Sequence, residues 1–474
     1  LIADAQALIP IKFDHWSVSR IGKYKAVCDP NVSVLNYSFG HGNVMVIGDC
    51  FVCHGTQSLE AHLSALVDSE DLGSVDNLSG RFAVLILDTN GLRIVQDAFG
   101  ARTVCFDVTP GPIVAASHSA LLAFAIRSKI GSAQAKFTKM SEYRNRTVKF
   151  LPGRISMFEG IVFLTPNHVL NANDRSVKRF WPRKPVSATT PDDLRRVIVE
   201  YFQRFSAYFE TAGLKAVVGL SGGKDCQVSI AGLNRRGVIS DLVTWLEPFL
   251  DPKELPSVER RLGYLAIRHR FVDLKQIKPE DDVKIHRASE VAGGFGRSAS
   301  KLTVAMRVFA GRDHVHIRGY GGEIIRGFYT AFRHKRELLN ALKTTTSKPI
   351  VKRDASVLFA EIFLAQLQIK KNTAVSEEYK AIVGNYFKDF TQSGSYEASD
   401  VLGYDLSDLY YWEHRMAIWG AQMLNEMDPA VYNMVAMNSR KLFEVGFGLP
   451  APYRFGPDLM LDMCRAMDSE LATL

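Results

Sequence analysis

The segment Ala216-Val217-Val218-Gly219-Leu220-Ser221-Gly222-Gly223-Lys224-Asp225-Cys226-Gln227 constrains this chain more than any other. An apolar run breaks into a glycine pair and reopens as a helix bearing an acid, the pattern of a buried strand feeding a helix through a loop that holds pyrophosphate. Glycines let backbone amides approach phosphate oxygens, Ser221 and the exposed N–H groups donate, and the positive end of the helix favours the charge. Lys224 adds a cation, and Asp225 suits a magnesium ion shared with the phosphates. The spacing excludes a Walker A loop, because Gly219 and Gly223 stand one residue too close and Asp225 follows Lys224 where Ser or Thr is needed.

Strand and helix alternate around this loop. A strand over 215–220 leads through it into a helix stopping at Arg235-Arg236-Gly237, where glycine is the expected terminator. Leu242-Val243-Thr244-Trp245-Leu246 reads as a second strand, 255–268 as a helix and Phe271-Val272-Asp273-Leu274 as a third strand. That order predicts a doubly wound parallel sheet, with ligands beyond the carboxyl ends of its strands, so Leu220 and Leu246 should flank a nucleotide. Upstream, Lys178-Arg179-Phe180-Trp181-Pro182-Arg183-Lys184-Pro185 reads as a linker and Asp192–Phe209 as a helix. Before about residue 180, short apolar strands such as Val44–Gly48 and Phe82–Leu87, with turn signals such as Asp88-Thr89-Asn90-Gly91, predict an all-β or α+β domain.

Composition bounds the rest. With 474 residues, 47% hydrophobic and 23% charged, the chain has material for two or three domains. Six scattered cysteines predict a reducing, cytoplasmic setting rather than a disulfide framework, and no apolar run is long enough for a membrane helix. The net charge of +8 is modest for this length, so a nucleic-acid partner is not expected; solvated faces account for basic groups such as Arg333-His334-Lys335-Arg336. Cys50-Phe51-Val52-Cys53-His54 matches a haem-attachment pattern that nothing else in the chain supports. His314 and His316 share a strand face but lack a third ligand at metal spacing, so a packed pair is expected. Gly294-Phe295-Gly296-Arg297-Ser298-Ala299 follows no strand and reads as a substrate-side loop.

The glycine loop resembles the Ser-Gly-Gly-x-Asp-Ser loop of the ATP pyrophosphatases, enzymes that cleave ATP to AMP and pyrophosphate, with Cys226 in place of the second serine. A thiol donates more weakly than a hydroxyl. The phrases Gly80-Arg81-Phe82-Ala83, Gly91 to Arg102, and Ala116-Ser117-His118-Ser119-Ala120-Leu121-Leu122 resemble the N-terminal glutaminase-type domain of the asparagine synthetases. Asn438-Ser439-Arg440-Lys441-Leu442-Phe443-Glu444 and Gly448-Leu449-Pro450 resemble the helical C-terminal part of their synthetase domain. The resemblance implies a degenerate glutaminase-like β sandwich over 1–183, followed by an α/β doubly wound ATP pyrophosphatase domain over 184–474. Glutaminase chemistry needs an N-terminal cysteine. The sequence starts at Leu1 and its earliest cysteine is Cys28, so glutamine hydrolysis is not expected, as in the β-lactam synthetase and carbapenam synthetase branch.

The same resemblance assigns roles in the second half of the site. A strand over 314–318 runs into Gly319-Tyr320-Gly321-Gly322-Glu323, where Glu323 stands at the second magnesium carboxylate position beside Asp225, and Gly321 joins Leu220 to Asp225, Cys226 and Leu246 in holding the nucleotide. Tyr320 stands where the lactam-forming enzymes carry the Tyr of a Tyr–Glu pair that deprotonates an amine, with Glu413 as the expected partner acid, Asp405 and Asp408 as rivals, and Lys224 as a further catalytic residue. The long spacing implies an insertion around 335–395. The expected reaction uses ATP and Mg2+ to adenylate a small-molecule or peptide carboxylate and couple it to an amine. The alternatives are intramolecular lactam closure, ammonia-dependent amidation, lasso-peptide cyclisation, tRNA sulfur transfer and a catalytically inactive interaction protein. A homodimer is compatible with any of these.

Overall fold

The structure, a computed structural model, describes residues 1–4, 15–68, 71–146, 148–246, 250–293, 300–311, 313–331, 354–371 and 374–474. Among these, twelve strands precede residue 180: β1 (Ile2–Asp4), β2 (Ser17–Ile21), β3 (Tyr24–Cys28), β4 (Val34–Phe39), β5 (Gly42–Val52), β6 (Leu78–Asp88), β7 (Gly91–Gln96), β8 (Val104–Asp107), β9 (Val114–Ala116), β10 (Ile161–Leu164), β11 (His168–Asn171) and β12 (Val177–Arg179). They form two antiparallel sheets, ordered β10-β8-β9-β1-β3-β2 and β12-β11-β7-β6-β5-β4. Ala26, Met45, Ala83, Leu85 and Phe106 fill the space between the sheets. The opposite face of β5 and β6, with Val44, Val46, Phe82, Val84 and Ile86, packs with Leu63 and Leu66 of the helix Leu59–Asp68. Burial on both faces explains why β6 reads as an unbroken apolar run instead of alternating.

After β12 comes the helix Pro191–Ala212, opened by a reciprocal Thr190–Asp193 capping box and stopped at Gly213. The second half is then built on a five-stranded sheet of β13 (Lys215–Gly219), β14 (Ile239–Trp245), β15 (His269–Val272), β16 (His314–Arg318) and β17 (Tyr432–Val435), ordered β15-β14-β13-β16-β17 with every pair parallel. Ala216 and Val218 point into one apolar core, whereas Val217 meets Val243, Met306 and Phe309 on the other face. The doubly wound expectation therefore holds, with two changes. The helix before β15 ends at Leu265, and the strand begins at His269, because the Arg268 carbonyl already accepts the Leu242 amide (2.8 Å) in the ladder. The four-residue β17 is an addition too short to stand out in the sequence. From β13 the chain steps outward to β15 and then returns to β16 on the other side, so the order reverses between β13 and β16. In an open α/β sheet that reversal is where the crevice lies.

The halves share one buried core. Phe51, Phe99 and Trp181 belong to the same apolar cluster as Tyr201, Phe205, Trp412 and Phe443. Polar clamps sit across it. Asn438 Nδ2 donates to Gly80 O (2.6 Å) and Asp97 Oδ1 (2.9 Å), and its Oδ1 accepts from the Phe99 amide (2.7 Å). Arg81 holds Asp428 through both nitrogens (2.5 and 2.8 Å), and Arg440 Nε donates to Asn167 (2.9 Å). The segments that carried the family resemblance are thus the ones that join the two halves.

Within the expected insertion, the helices Ala355–Lys371 and Glu377–Gly394 brace the N-terminal half, Tyr379 stacking on Phe137 at 4.9 Å. The basic group 333–336 and the loop 294–299 lie outside the described residues. Cys50 and Cys53 are buried, and His54 is engaged by Ser439 (2.8 Å) and Glu200 (3.3 Å), which leaves no haem-attachment site there. His316 is buried on Asn433 and the half-buried His314 bonds to its neighbour Asp313, so each ring has a protein partner of its own.

Candidate active site

The loop leaves β13 at Leu220, whose amide still bonds to Val243 O (2.8 Å), and the helix Lys224–Asn234 starts with Gly223 as its N-cap. With no side chain at the cap, Ser221 takes over: its Oγ accepts the Gly223 amide (3.1 Å). Cys226 braces the turn from within. Its Sγ accepts the Ser221 amide (3.4 Å) and donates to Gly223 O (3.0 Å), and burial pushes its pKa up. Beneath the turn, Arg261 Nη1 donates to Ser221 O (2.6 Å). Lys224 does not reach over the loop: its ammonium donates to Pro457 O (2.8 Å). Leu246 follows the last residue of β14, on the side of β13 away from the β13–β16 reversal, and its amide bonds to Val272 O (2.9 Å).

Two carboxylates meet at that reversal. Asp225 lies in the first turn of the loop helix, and Glu323 in the short helix Gly322–Ile325 that follows β16. Glycines bring them together. Gly321 adopts φ +105, where an added Cβ would stand 2.1 Å from Met437 O, and a Cβ on Gly322 would stand 2.3 Å from Asp225 Oδ1. Asp225 Oδ1 and Glu323 Oε2 are both buried without a hydrogen-bond partner. Burial raises the Asp225 pKa against the opposing effect of Arg326, and burial followed by repulsion from Asp225 raises Glu323 to about 7. Arg326 Nη2 stands 3.4 Å from Asp225 Oδ2, too loose for a tight bond.

This is a strained anionic pair of hard oxygens, and its chemistry fits a divalent cation such as magnesium that would share further ligands with phosphate oxygens and water. Among the described residues no group of three or more His, Cys, Asp and Glu side chains could hold a metal alone.

Tyr320 stands two residues past the end of β16, its ring stacked on Phe99 of the N-terminal half (5.9 Å between centroids, 6° between planes). Its hydroxyl oxygen accepts from Arg318 Nη2 at 2.7 Å. Glu413 is not its partner, and this corrects the sequence reading. Both Glu413 oxygens are taken by Arg179 (2.8 Å each), with Asn167 (2.7 Å) and Tyr396 (2.5 Å) completing a fully buried cluster. The rivals are also engaged elsewhere, Asp405 capping Ser407 and Asp408 paired with Arg454 (2.7 Å).

The residues missed were Arg318, Arg326, Arg261 and Glu254. Two carried a local signal: Arg318 sits two residues before Tyr320 and Arg326 three after Glu323, in the same glycine-marked segment.

No protein-family model matches the sequence, and no curated protein matches it. Solved structures found by shape include an NMN synthetase from Francisella tularensis and an NH3-dependent NAD synthetase from Campylobacter jejuni. Each is 12% identical, covering 44% of this chain and 97% of that one at a TM-score of 0.22. A glutamine-dependent NAD+ synthetase from Acinetobacter baumannii aligns over 57% of this chain and 62% of its own, at 12% identity and a TM-score of 0.21. Similarity that low leaves the functional reading to the geometry. Among the described residues no helix is long and apolar enough to cross a membrane.

Proposed function

We propose that the chain is an ATP-dependent, AMP- and pyrophosphate-forming amide-bond synthetase that activates a substrate carboxylate and joins it to an amine, lactam closure included. The observation that supports this most is the Asp225–Glu323 pair at the strand-order reversal, each carboxylate with one buried, unpartnered oxygen, Asp225 on the helix that leaves the phosphate loop and Glu323 on the short helix after β16. Such a pair is costly until a cation relieves it. Magnesium bound there would neutralise phosphate charge during adenylation. The chain's own part is to fix the pyrophosphate leaving group on the loop amides and the helix start, where preorganised donors favour the charge that develops.

Tyr320 is the candidate base for the amine. Its hydroxyl oxygen is held by the Arg318 guanidinium at 2.7 Å, where the sequence reading expected an acid. Cys28 is built into β3, so it is not a terminal glutaminase nucleophile. A thiol-based sulfur transfer is disfavoured as well: five cysteines are buried, and Cys226 is occupied inside the loop with its pKa raised.

The test is ATP–pyrophosphate exchange driven by a pool of candidate carboxylic acids, with mass-spectrometric trapping of the acyl-adenylate. Exchange abolished by Asp225→Ala is the expected result. A nucleotide complex with its triphosphate away from residues 220–226 removes the proposal.

A further inference from the structure

We propose that Glu254 is a plug built into the phosphate loop: its carboxylate occupies the amide that a phosphate oxygen would take, and a bound diphosphate displaces it. The proposal rests on reading the loop as a phosphate seat. Glu254 Oε2 accepts the Gly222 amide at 3.0 Å, so a loop donor expected to face phosphate is already committed to an anion. The contact extends along the side chain. A Cβ on Gly222 would stand 2.6 Å from Glu254 Cβ and 2.7 Å from its Cγ, so Glu254 lies across the open glycine face.

The backbone holds it there. Asp251 Oδ1 caps Lys253 (3.0 Å), and Asp251 O accepts the Glu254 amide (2.8 Å), fixing the turn immediately before the helix Leu255–Leu265. One turn-and-helix unit thus presents a carboxylate to the face of the loop and, through Arg261, a guanidinium beneath it. Arg261 is 5% exposed, and its Nε is buried without a hydrogen-bond partner, a positive charge under the seat that no acid neutralises at that nitrogen. A side-chain carboxylate and a phosphate oxygen want the same donor and carry the same sign of charge, so they exclude each other. Glu254 is half-buried and joined to the seat by one bond, so rotation of its side chain opens the position.

The exclusion is measured directly with inorganic pyrophosphate and Mg2+ in a calorimeter, on the full chain and on Glu254→Ala and Glu254→Gln. The alanine variant should bind pyrophosphate about tenfold more tightly, the scale of one charge-assisted hydrogen bond, with glutamine in between because it keeps the acceptor but loses the charge. Thermal melting checks that each variant is folded, and the glutamine variant carries the test if alanine does not fold. Unchanged affinity in both variants overturns the plug, and weaker affinity makes Glu254 part of the ligand's shell instead. The ligase reading separates cleanly. Exchange activity with equal pyrophosphate affinities sinks the plug alone, and a tenfold affinity gain without exchange sinks the ligase alone. No binding to any variant removes the seat and the plug together.

Discussion

Replacing Glu323 by glutamine tests the carboxylate pair without needing a substrate. Burial and Asp225 lift Glu323 from 4.5 to about 7, so between those values the folded chain holds a proton that the unfolded chain has released. The sign follows from that difference: stability falls as pH rises through this window, and the loss is complete above about 7. At 1.36 kcal/mol per pH unit, the interval corresponds to about 3 kcal/mol. Glutamine keeps the shape and removes the charge, so Glu323→Gln should be about 3 kcal/mol more stable than the parent at pH 8 and close to it at pH 5. For a chain of this size that is a rise of about 3–6 °C in melting temperature at pH 8. Melting curves for both proteins at the two pH values, with and without Mg2+ and pyrophosphate, provide the measurement. The cation should stabilise the parent and narrow the gap. If the two proteins keep the same melting difference at pH 5 and pH 8, the carboxylates do not burden each other and the metal assignment loses its basis.

Three further outcomes are expected. Tyr320→Phe should leave ATP–pyrophosphate exchange intact and remove amide formation, and Arg318→Gln, which loses the donor that holds the Tyr320 hydroxyl, should slow amide formation while sparing exchange; amide formation surviving Tyr320→Phe rejects the base. Glu413→Ala strands Arg179 in a buried cluster and should cost about 3–5 kcal/mol in denaturant unfolding, while Glu413→Gln, if it folds, should retain exchange; selective loss of the amide step would restore Glu413 to catalysis. Gly322→Ala places a methyl against Asp225 Oδ1 and should weaken Mg2+-dependent pyrophosphate binding at least tenfold, a loss calorimetry would register.

The parts of this architecture visible in the sequence are those encoded locally. The valine run, the glycine pair and the acid after them fix a strand, a loop and a helix within a dozen residues, and the glycine cluster after β16 marks the second acid in the same way. Partnerships between distant residues have no such mark. Glu413 follows three aromatic residues and resembles a site acid, yet Arg179, which neutralises it, comes 234 positions earlier and is brought near only by tertiary packing. Tyr320 illustrates the opposite case: its partner stands two residues away, but the resemblance drew attention to a distant acid. Glu254 carries no local sign of its role, because its contact with Gly222 depends on how the helix after β14 folds back.

The core that runs unbroken from Phe51 to Phe443 bears on how such a protein could be pared down. Its aromatic residues are one half's interior only while the other half is present, so excising either would turn a shared centre into a sticky face. The stacking of Tyr320 on Phe99 shows that the sandwich also sets the position of a candidate reactive group. Such a module can persist through selection as a mould for its neighbour, whatever chemistry it does or does not perform.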